Sequence, residues 1–558
     1  MGLFEGLSIG RRGLEASQLA MNVTGQNISN ANTDGYSRKR VALAADYRVD
    51  GALGQMGFGV DIRFVERIRN EFIDRQLIGQ TTQKGYTDEL DQGYARLENI
   101  HQEPSDTGIA SAVDNFWNAW SDVANNPGDR SSREALKSTA MEMTDRLHYT
   151  SNEIRAYKLS INDQIADYTT KINNLTSQIS EMNGVIVNNE GLDTQRANDS
   201  RDNRDQLVKE LSDIISITYV EDAAGAISVT SGGTMLVSPS KASTFENVRE
   251  IITDPDGYKY SNNTLRIQGA ESSYTATGGR LKALFDMRDN VLTSYETELN
   301  GMVSKLVENV NAVHNKGFTL DRLTGVDFFD NTGVSCSTIS LSAAVLTDSN
   351  SIAAAKGGNL VAISAAGPIA SDLNNIVDLP TFNPLYRNLA EGSVRVVNSV
   401  TGAVLEEGAD KDYVIDNELG RVKIINTATY PSGTNFSIDF KYNDQGFSGS
   451  GDGSNAIEIA LIRDKKIMDD DGFGNYTHTM SEYYGGYIGR LGVERNQAST
   501  ELETQVALIE QINGQQQSIS GVNLDEEMAN MIKFQQTYQA SARFLTTIGD
   551  MMDVLMSI

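Results

Sequence analysis

The side chains that most often carry catalysis or bind metals are few in this sequence and widely separated. Its four histidines are His101, His148, His314 and His478, and no two stand four residues apart, as the histidines of a helical zinc site do. The single cysteine, Cys336, excludes an internal disulfide, a cysteine-rich zinc site and an iron–sulfur cluster held by this chain alone. We therefore expect neither a metal nor a cofactor.

Three short runs look like functional motifs but lack the context that each motif needs. Gly6–Gly10 (GLSIG) fits a hydrolase nucleophile pattern, yet the few residues before it leave no room for the required strand. Gly54–Gly59 lacks the dinucleotide-binding spacing and favours a loop. Asp469–Gly472 suggests a calcium loop, but Ile467 and His478 stand where that loop needs acidic ligands. With no catalytic constellation, the sequence favours a structural or interaction protein over an enzyme.

Composition narrows the class further. The chain of 558 residues predicts several domains, and 39% hydrophobic with 22% charged residues is typical of soluble globular proteins. The formal net charge of −28 disfavours nucleic acid as a partner, because an acidic surface repels phosphates. The longest weakly polar stretch, Leu360–Ala370, is about half the ~20 residues that span a bilayer, so no membrane partner is expected. Glu5 and the late position of Arg11 predict no cleavable secretory signal.

Both ends of the chain are predicted to be helices whose large apolar residues repeat every seven positions. These residues are Leu7, Leu14, Met21 and Ile28 at the start, and Leu524, Met531, Tyr538, Leu545 and Met552 at the end. Small residues such as Gly10 and Ser17 lie between them in the first helix. A stripe this narrow cannot hold a lone helix, so each end needs a partner. The other end is the first choice, and packing on the main body is the alternative.

Further helices are predicted between the ends. Apolar residues at three–four spacing indicate one very long helix over 134–182 and another over 279–313, lying side by side. Shorter helices are expected over 199–211 and 109–123, the latter with Phe116, Trp117 and Trp120 as core residues rather than a ligand site.

Two regions favour β structure. Short β-prone runs separated by turn residues predict hairpins over 214–267 and a sandwich-like module over 393–442. Residues 331–370 are rich in Ala, Ser and Gly and are expected to be irregular. Residues 446–453 predict a flexible joint that leads back into helix.

A polar segment after the first helix carries the most specific pattern in the chain. Residues 27–38 read NISNANTDGYSR, in which Asn and Gly would end the helix and the tyrosine would dock the returning chain. The marked positions are Asn27, Asn30, Gly35 and Tyr36. This segment resembles the N-terminal motif of bacterial flagellar rod, hook and hook-associated proteins, and residues 520–527 (SGVNLDEE) resemble the C-terminal motif of the same family.

Internal blocks narrow this resemblance. Residues 202–211, 311–318 and 454–460 are similar to the hook-associated proteins found where hook and filament meet. The resemblance implies the first of two junction proteins, needed for filament assembly, whose terminal helices form an inner coiled-coil tube. It also implies type III export to an extracellular place on the flagellum. The implied partners are further copies of the chain in a helical or ring assembly, the hook protein, the second junction protein and an export chaperone.

Together, the elements and the resemblance predict a mainly α fold with inserted β domains. The terminal helices would pair as a coiled coil, around a core of bundled long helices with outer β-sandwich-like modules. The expected domains are a terminal coiled-coil domain (1–75 with 500–558), a helical core (76–213 with 279–330 and 454–499), an inserted β domain (214–278) and an outer variable β domain (331–453).

Two alternatives stay open. The chain could be another flagellar axial protein, namely the second junction protein or the hook protein, or it could be an unrelated secreted adhesin. An adhesin needs no paired terminal helices, so full function after deletion of both ends would favour it.

Overall fold

The computed structural model describes residues 3–51, 54–190, 196–253, 258–379, 386–470 and 475–556. The helices are α1 (Leu3–Ser29), α2 (Glu71–His101), α3 (Ile109–Asn125), α4 (Arg130–Glu190), α5 (Asn198–Ile214), α6 (Gly279–Phe285), α7 (Leu292–His314), α8 (Ala343–Thr347), α9 (Ser454–Ala460), α10 (Met480–Ser520) and α11 (Leu524–Met556). Within this described part of the chain, every helix is too short or too polar to cross a bilayer.

The strands form small antiparallel sheets. They are β1 (Lys39–Gly51), β2 (Gly54–Arg67), β3 (Thr218–Glu221), β4 (Ile227–Ser231), β5 (Thr234–Ser238), β6 (Lys241–Ala242), β7 (Phe245–Thr253), β8 (Lys259–Ile267), β9 (Ser273–Tyr274), β10 (Leu360–Ala370), β11 (Ile376–Asp378), β12 (Arg395–Asn398), β13 (Tyr413–Asp416), β14 (Arg421–Ile424), β15 (Asn435–Asn443), β16 (Met468–Asp470) and β17 (Tyr476–His478). The fold is thus mainly helical with β structure inserted between the helices, as predicted.

Long helices build the body of the molecule around one large cluster of buried side chains. α10 packs along α2, while α3 packs against α4 and α9. The centre of the cluster is aromatic: the rings of Phe116 and Trp120 lie 5.9 and 5.1 Å from the ring of Phe328, and all three side chains are fully buried. The aromatic residues of α3 are therefore core residues, as the sequence predicted.

The two long central helices are confirmed. α4 extends past the predicted 134–182 at both ends, to 61 residues. The helix predicted over 279–313 is formed by α6 and α7, joined by a π-helical segment at Asp286–Val291. The two helices contact each other, and Lys158 donates a buried hydrogen bond of 2.6 Å to Glu296 between them.

Three asparagines of α4 hold the β module that follows α5. Asn173 both donates to the backbone carbonyl of Phe245 (2.9 Å) and accepts from its N–H (2.8 Å). Asn183 holds Ile227 in the same way, at 2.8 and 3.0 Å, and Asn162 binds two backbone groups of β8. The three asparagines lie on one side of α4, because they stand 11 and 10 residues apart and three helical turns take about 11 residues. The hairpins predicted over 214–267 are thus confirmed, and their buried side chains join the helical core cluster.

The outer module has a core of its own. Sheets β10–β15–β12 and β11–β14–β13 enclose a separate cluster that includes Val396, Val422 and Phe436. The irregular structure expected over 331–370 is wrong for β10, because a long antiparallel pairing with β15 orders a strand that composition alone did not indicate. Cys336 and Ile352 lie in the helical core cluster, so the outer module is smaller than the expected 331–453.

A long β-hairpin follows α1, and the sequence did not predict it. β1 pairs antiparallel with β2, so the loop expected at Gly54–Gly59 is wrong. The structure of this segment depends on its contact with α1. Gly59 has a φ of +94°, and a Cβ there would lie 3.4 Å from the Cα of Ile9. Glycine allows both the left-handed backbone and the close approach to α1.

Two buried histidines predict a loss of stability in mild acid. Burial lowers the pKa of His101 and of His314 to about 4, against about 6.5 in an unfolded chain. The nitrogens of His314 bind the carbonyl of Val326 (2.7 Å) and the N–H of Ala353 (2.8 Å), which leaves no place for a second proton. Between pH 7 and pH 5 only the unfolded chain gains these protons, so the free energy of unfolding should fall by about 2 kcal/mol per histidine.

Denaturant unfolding at both pH values measures this effect. His101→Gln should reduce the difference between the two pH values, whereas His478→Gln, at an exposed position, should keep it. An unfolding free energy that does not change from pH 7 to pH 5 would contradict the prediction.

Candidate assembly site at the joined chain ends

The first and last helices pack against each other along their length. Added Cβ atoms at Gly6, Gly10 and Gly13 would lie 2.8, 2.7 and 2.9 Å from side-chain atoms of Ile548, Leu545 and Ser541 respectively. Partner numbers fall along α11 as the positions rise along α1, so the two helices run antiparallel. The glycines let the helices come close, because an added Cβ would have to push aside the side chain that faces it.

The predicted seam residues are only partly covered within one chain. Leu7 and Leu524 are 37% and 47% exposed. The half-buried ones are Leu14, Met21, Ile28, Met531, Tyr538, Leu545 and Met552. The face that α1 buries completely is instead the small one, which includes Ala16, Ser17 and Ala20. The pairing of α1 with α11 therefore covers the two predicted rows of large apolar side chains only in part.

Asn27 joins the end of α1 to the returning chain. Its side chain is 1% exposed and fully hydrogen-bonded. The amide nitrogen donates to the carbonyl of Lys39 (2.9 Å) and to Glu527 (3.0 Å), and the amide oxygen accepts from the N–H of Lys39 (3.0 Å) and the hydroxyl of Tyr36 (2.8 Å). A single side chain thus ties α1, β1 and α11 together.

Arg38 completes this group. Its guanidinium binds the buried carboxylate of Glu527 at 2.8 and 2.7 Å and the exposed one of Glu526 at 2.9 Å, and these contacts raise its pKa. Its backbone N–H donates to the carbonyl of Ser520, where α10 ends. We call Asn27, Tyr36, Arg38, Lys39 and Glu527 the polar hub.

The family-motif residues build the turn that leads into the polar hub. Asn30 bonds back to the carbonyl of Gln26 (3.0 Å), and Gly35 has φ of +81°, the left-handed backbone that glycine favours. Burial, with the nearby carboxylates of Asp199, Asp202 and Glu527, raises the pKa of Tyr36 to about 12, so its hydroxyl stays a donor.

A second set of ion pairs fastens the same segment to α5. Ser37 donates to Asp202 (2.7 Å), and Arg67 binds both Asp202 (2.7 Å) and Asp205 (2.8 Å). Lys39 also pairs with Asp199. Because the side chains of Arg67 and Asp202 are largely shielded from water, their pair should hold this segment to the helical core more firmly than a surface pair would.

Over the described ranges, no three His, Cys, Asp or Glu side chains are grouped as a metal ion requires. His101 bonds the hydroxyl of Tyr487 and His148 a backbone carbonyl, so both have structural partners. Of the acidic run considered for calcium, residues 471 and 472 lie outside the described residues.

Sequence reasoning missed the residues that hold the motif. Glu527, Arg38 and Asp202 stand in segments that resemble the family. Their spacing could not show that Arg38 binds Glu527 or that Ser37 binds Asp202. The one available signal was an acid in the first turn of the last helix that belongs to neither apolar row.

Comparisons with known proteins agree along the chain. A family model described as flagellar hook-associated protein FlgK helical domain matches residues 94–329. The flagella basal body rod protein model matches residues 7–36, and the flagellar basal body rod FlgEFG protein C-terminal model matches residues 515–558. The polar hub and the paired helices lie mainly in the two terminal matches.

Curated relatives match over nearly the full length. Flagellar hook-associated protein 1 of Bacillus subtilis is 26% identical over 561 residues, covering 99% of this chain and 97% of the relative. Its counterpart in Salmonella typhimurium is 26% identical and covers 98% of each chain. The flagellar hook junction protein FlgK from Burkholderia pseudomallei shares the fold, with a TM-score of 0.55 at 19% identity over 80% of this chain and 100% of that one. Along nearly its whole length, this chain is therefore similar to flagellar hook-associated protein 1.

Proposed function

We propose that this chain is a structural axial protein of the bacterial flagellum that forms the junction layer between hook and filament and is needed for filament assembly. The observation that carries the proposal is the pairing of α1 with α11, which leaves the large apolar rows of both helices partly exposed. In a chain that is similar to hook-associated protein 1 over nearly all of their lengths, such rows are suited to burial between copies.

The assembly seam would be formed by these rows. On this proposal the terminal helices join as a coiled coil, and neighbouring copies in a ring or helix cover Leu14, Met21, Tyr538 and Leu545. Glycines that already bring α11 close to α1 support close packing of this kind. The same layer would contact the hook protein on one side and the second junction protein on the other.

The remaining domains would lie progressively farther from the seam. We propose a terminal domain of 1–75 with 500–558, a helical core, an inserted β module held to α4, and an outer β-sandwich whose separate hydrophobic cluster supports its independence. The chain would be exported through the flagellar type III apparatus with a chaperone, to act outside the cell.

Removing the chain tests the function. Source cells that lack it should make hooks without filaments and lose motility, and the intact chain should restore both. A chain without α1 and α11 should not restore them. Normal filaments in cells without the chain would contradict the proposal, and restoration by the chain without both helices would favour an adhesin.

Two glycines of α1 test which face of the helix must lack side chains. Gly10→Val should push Leu545 away from α1, and overpacking of this kind costs about 1–3 kcal/mol. Gly25→Val is the matched control, because nothing lies within 4 Å of a Cβ at Gly25. Counting chains in purified hook–filament junctions should show poor incorporation of the first variant and normal incorporation of the second. Equal incorporation would contradict the close packing.

A further inference from the structure

The carboxylate of Glu527 is the buried centre of the polar hub. The residue is 2% exposed and takes hydrogen bonds from Arg38 and Asn27, which lie 489 and 500 positions earlier in the chain. Its neighbour Glu526 binds the same guanidinium but keeps its side chain 56% exposed. α11 therefore presents one buried and one exposed carboxylate to a single cation.

The apolar rows do not by themselves fix how α1 and α11 pair. Because large residues recur every seven positions in both helices, moving α11 by seven residues would again place large side chains beside small ones. Such a move would replace Ser541 with Ile548 beside Gly13. It would also replace Glu527 with Phe534 beside Asn27, so the polar hub would lose its carboxylate.

We propose that Glu527 is a positioning residue that fixes the register in which the two ends of the chain pair. A buried charge is stable only where its donors meet it, and a single buried polar group can select one register of a helix pair. The inference rests on the proposed function, because copies could share one layer only if their ends paired in the same register.

Cysteine pairs can report the register directly. A Cβ at Gly13 would lie 3.7 Å from the Cβ of Ser541, inside the range of about 3.5–4.5 Å that a disulfide needs. Gly13→Cys with Ser541→Cys therefore reports the observed register, and Gly13→Cys with Ile548→Cys reports the shifted one. Both pairs are placed in the full chain carrying Cys336→Ala, oxidised in dilute solution and measured by gel mobility.

We expect the first pair to cross-link at least about tenfold faster than the second, because hydrogen bonds to a buried charge each favour the observed register by at least that factor. Glu527→Gln should lower this preference at least about fivefold, and Glu526→Gln should leave it unchanged. Equal preferences in the two variants would overturn the proposal. So would a slow first pair in a chain with an intact polar hub.

The cross-linking result does not depend on the flagellum. It is measured on the purified chain, so normal filaments in cells without the chain would contradict the proposed function and leave the register result standing. Conversely, a chain that enters junctions but shows no preference between the cysteine pairs would overturn the role of Glu527 alone.

Discussion

Asn27→Asp should prevent incorporation into hook–filament junctions although the two side chains have nearly the same shape. The change removes both donated hydrogen bonds, to the carbonyl of Lys39 and to Glu527, and places a second carboxylate about 3 Å from the first. An unsatisfied carbonyl and two adjacent buried acids together cost several kcal/mol per chain. The two terminal helices should then no longer be held to each other at the polar hub. The helical core should stay folded, because Asn27 makes its hydrogen bonds to Tyr36, Lys39 and Glu527.

Asn30→Asp is the matched control for this change. Asn30 belongs to the same motif, but its hydrogen bonds to Gln26 and Thr33 are exposed to solvent. Chains in purified junctions would be counted for both variants, and circular dichroism would check that each purified chain is folded. Equal incorporation of the two variants would show that the polar hub does not matter for assembly.

Leu545→Asp should also abolish incorporation, for a different reason. Leu545 packs on Gly10 and is partly exposed, and a neighbouring copy is proposed to cover the exposed part. A carboxylate there would have no partner in an apolar seam, which costs several kcal/mol per chain, and every copy in the layer repeats the cost. Motility should be lost while the purified chain keeps its helical content.

Gln539→Asp controls for the added charge. Gln539 is exposed on the same helix, so the substitution should behave as an ordinary surface change of within about 0.5 kcal/mol. If both variants entered junctions equally well, the seven-residue rows would not be an assembly surface.

The helices could be predicted because their apolar residues recur at regular spacing over many turns. α4 and the pair α6–α7 were placed correctly from residues such as Ile154, Ile161 and Leu299, all of which prove to be buried. The hairpins over 214–267 could be predicted because turn residues separate short β-prone runs. The local sequence pattern was sufficient to predict an element wherever the residues of that element determine its structure.

Two features needed contacts that local pattern does not contain. β10 reads as a weakly polar, irregular stretch, and its strand depends on pairing with β15, more than 60 residues later. The candidate site shows the same limit: the motif around Asn27 and Tyr36 was recognisable, but the buried acid that it serves, Glu527, comes from the other end of the chain. The sequence could therefore indicate a resemblance to the family, but not the contact between Asn27 and Glu527.

The length of α4 gives the molecule a mechanical property. At 61 residues, a straight helix extends about 90 Å, so a tilt of one degree at one end moves the other by about 1.6 Å. The asparagines at 162, 173 and 183 bind the β module along the second half of α4. The module should therefore move together with the helix. A rotation of α4 by a few degrees would thus displace its far end by several ångströms.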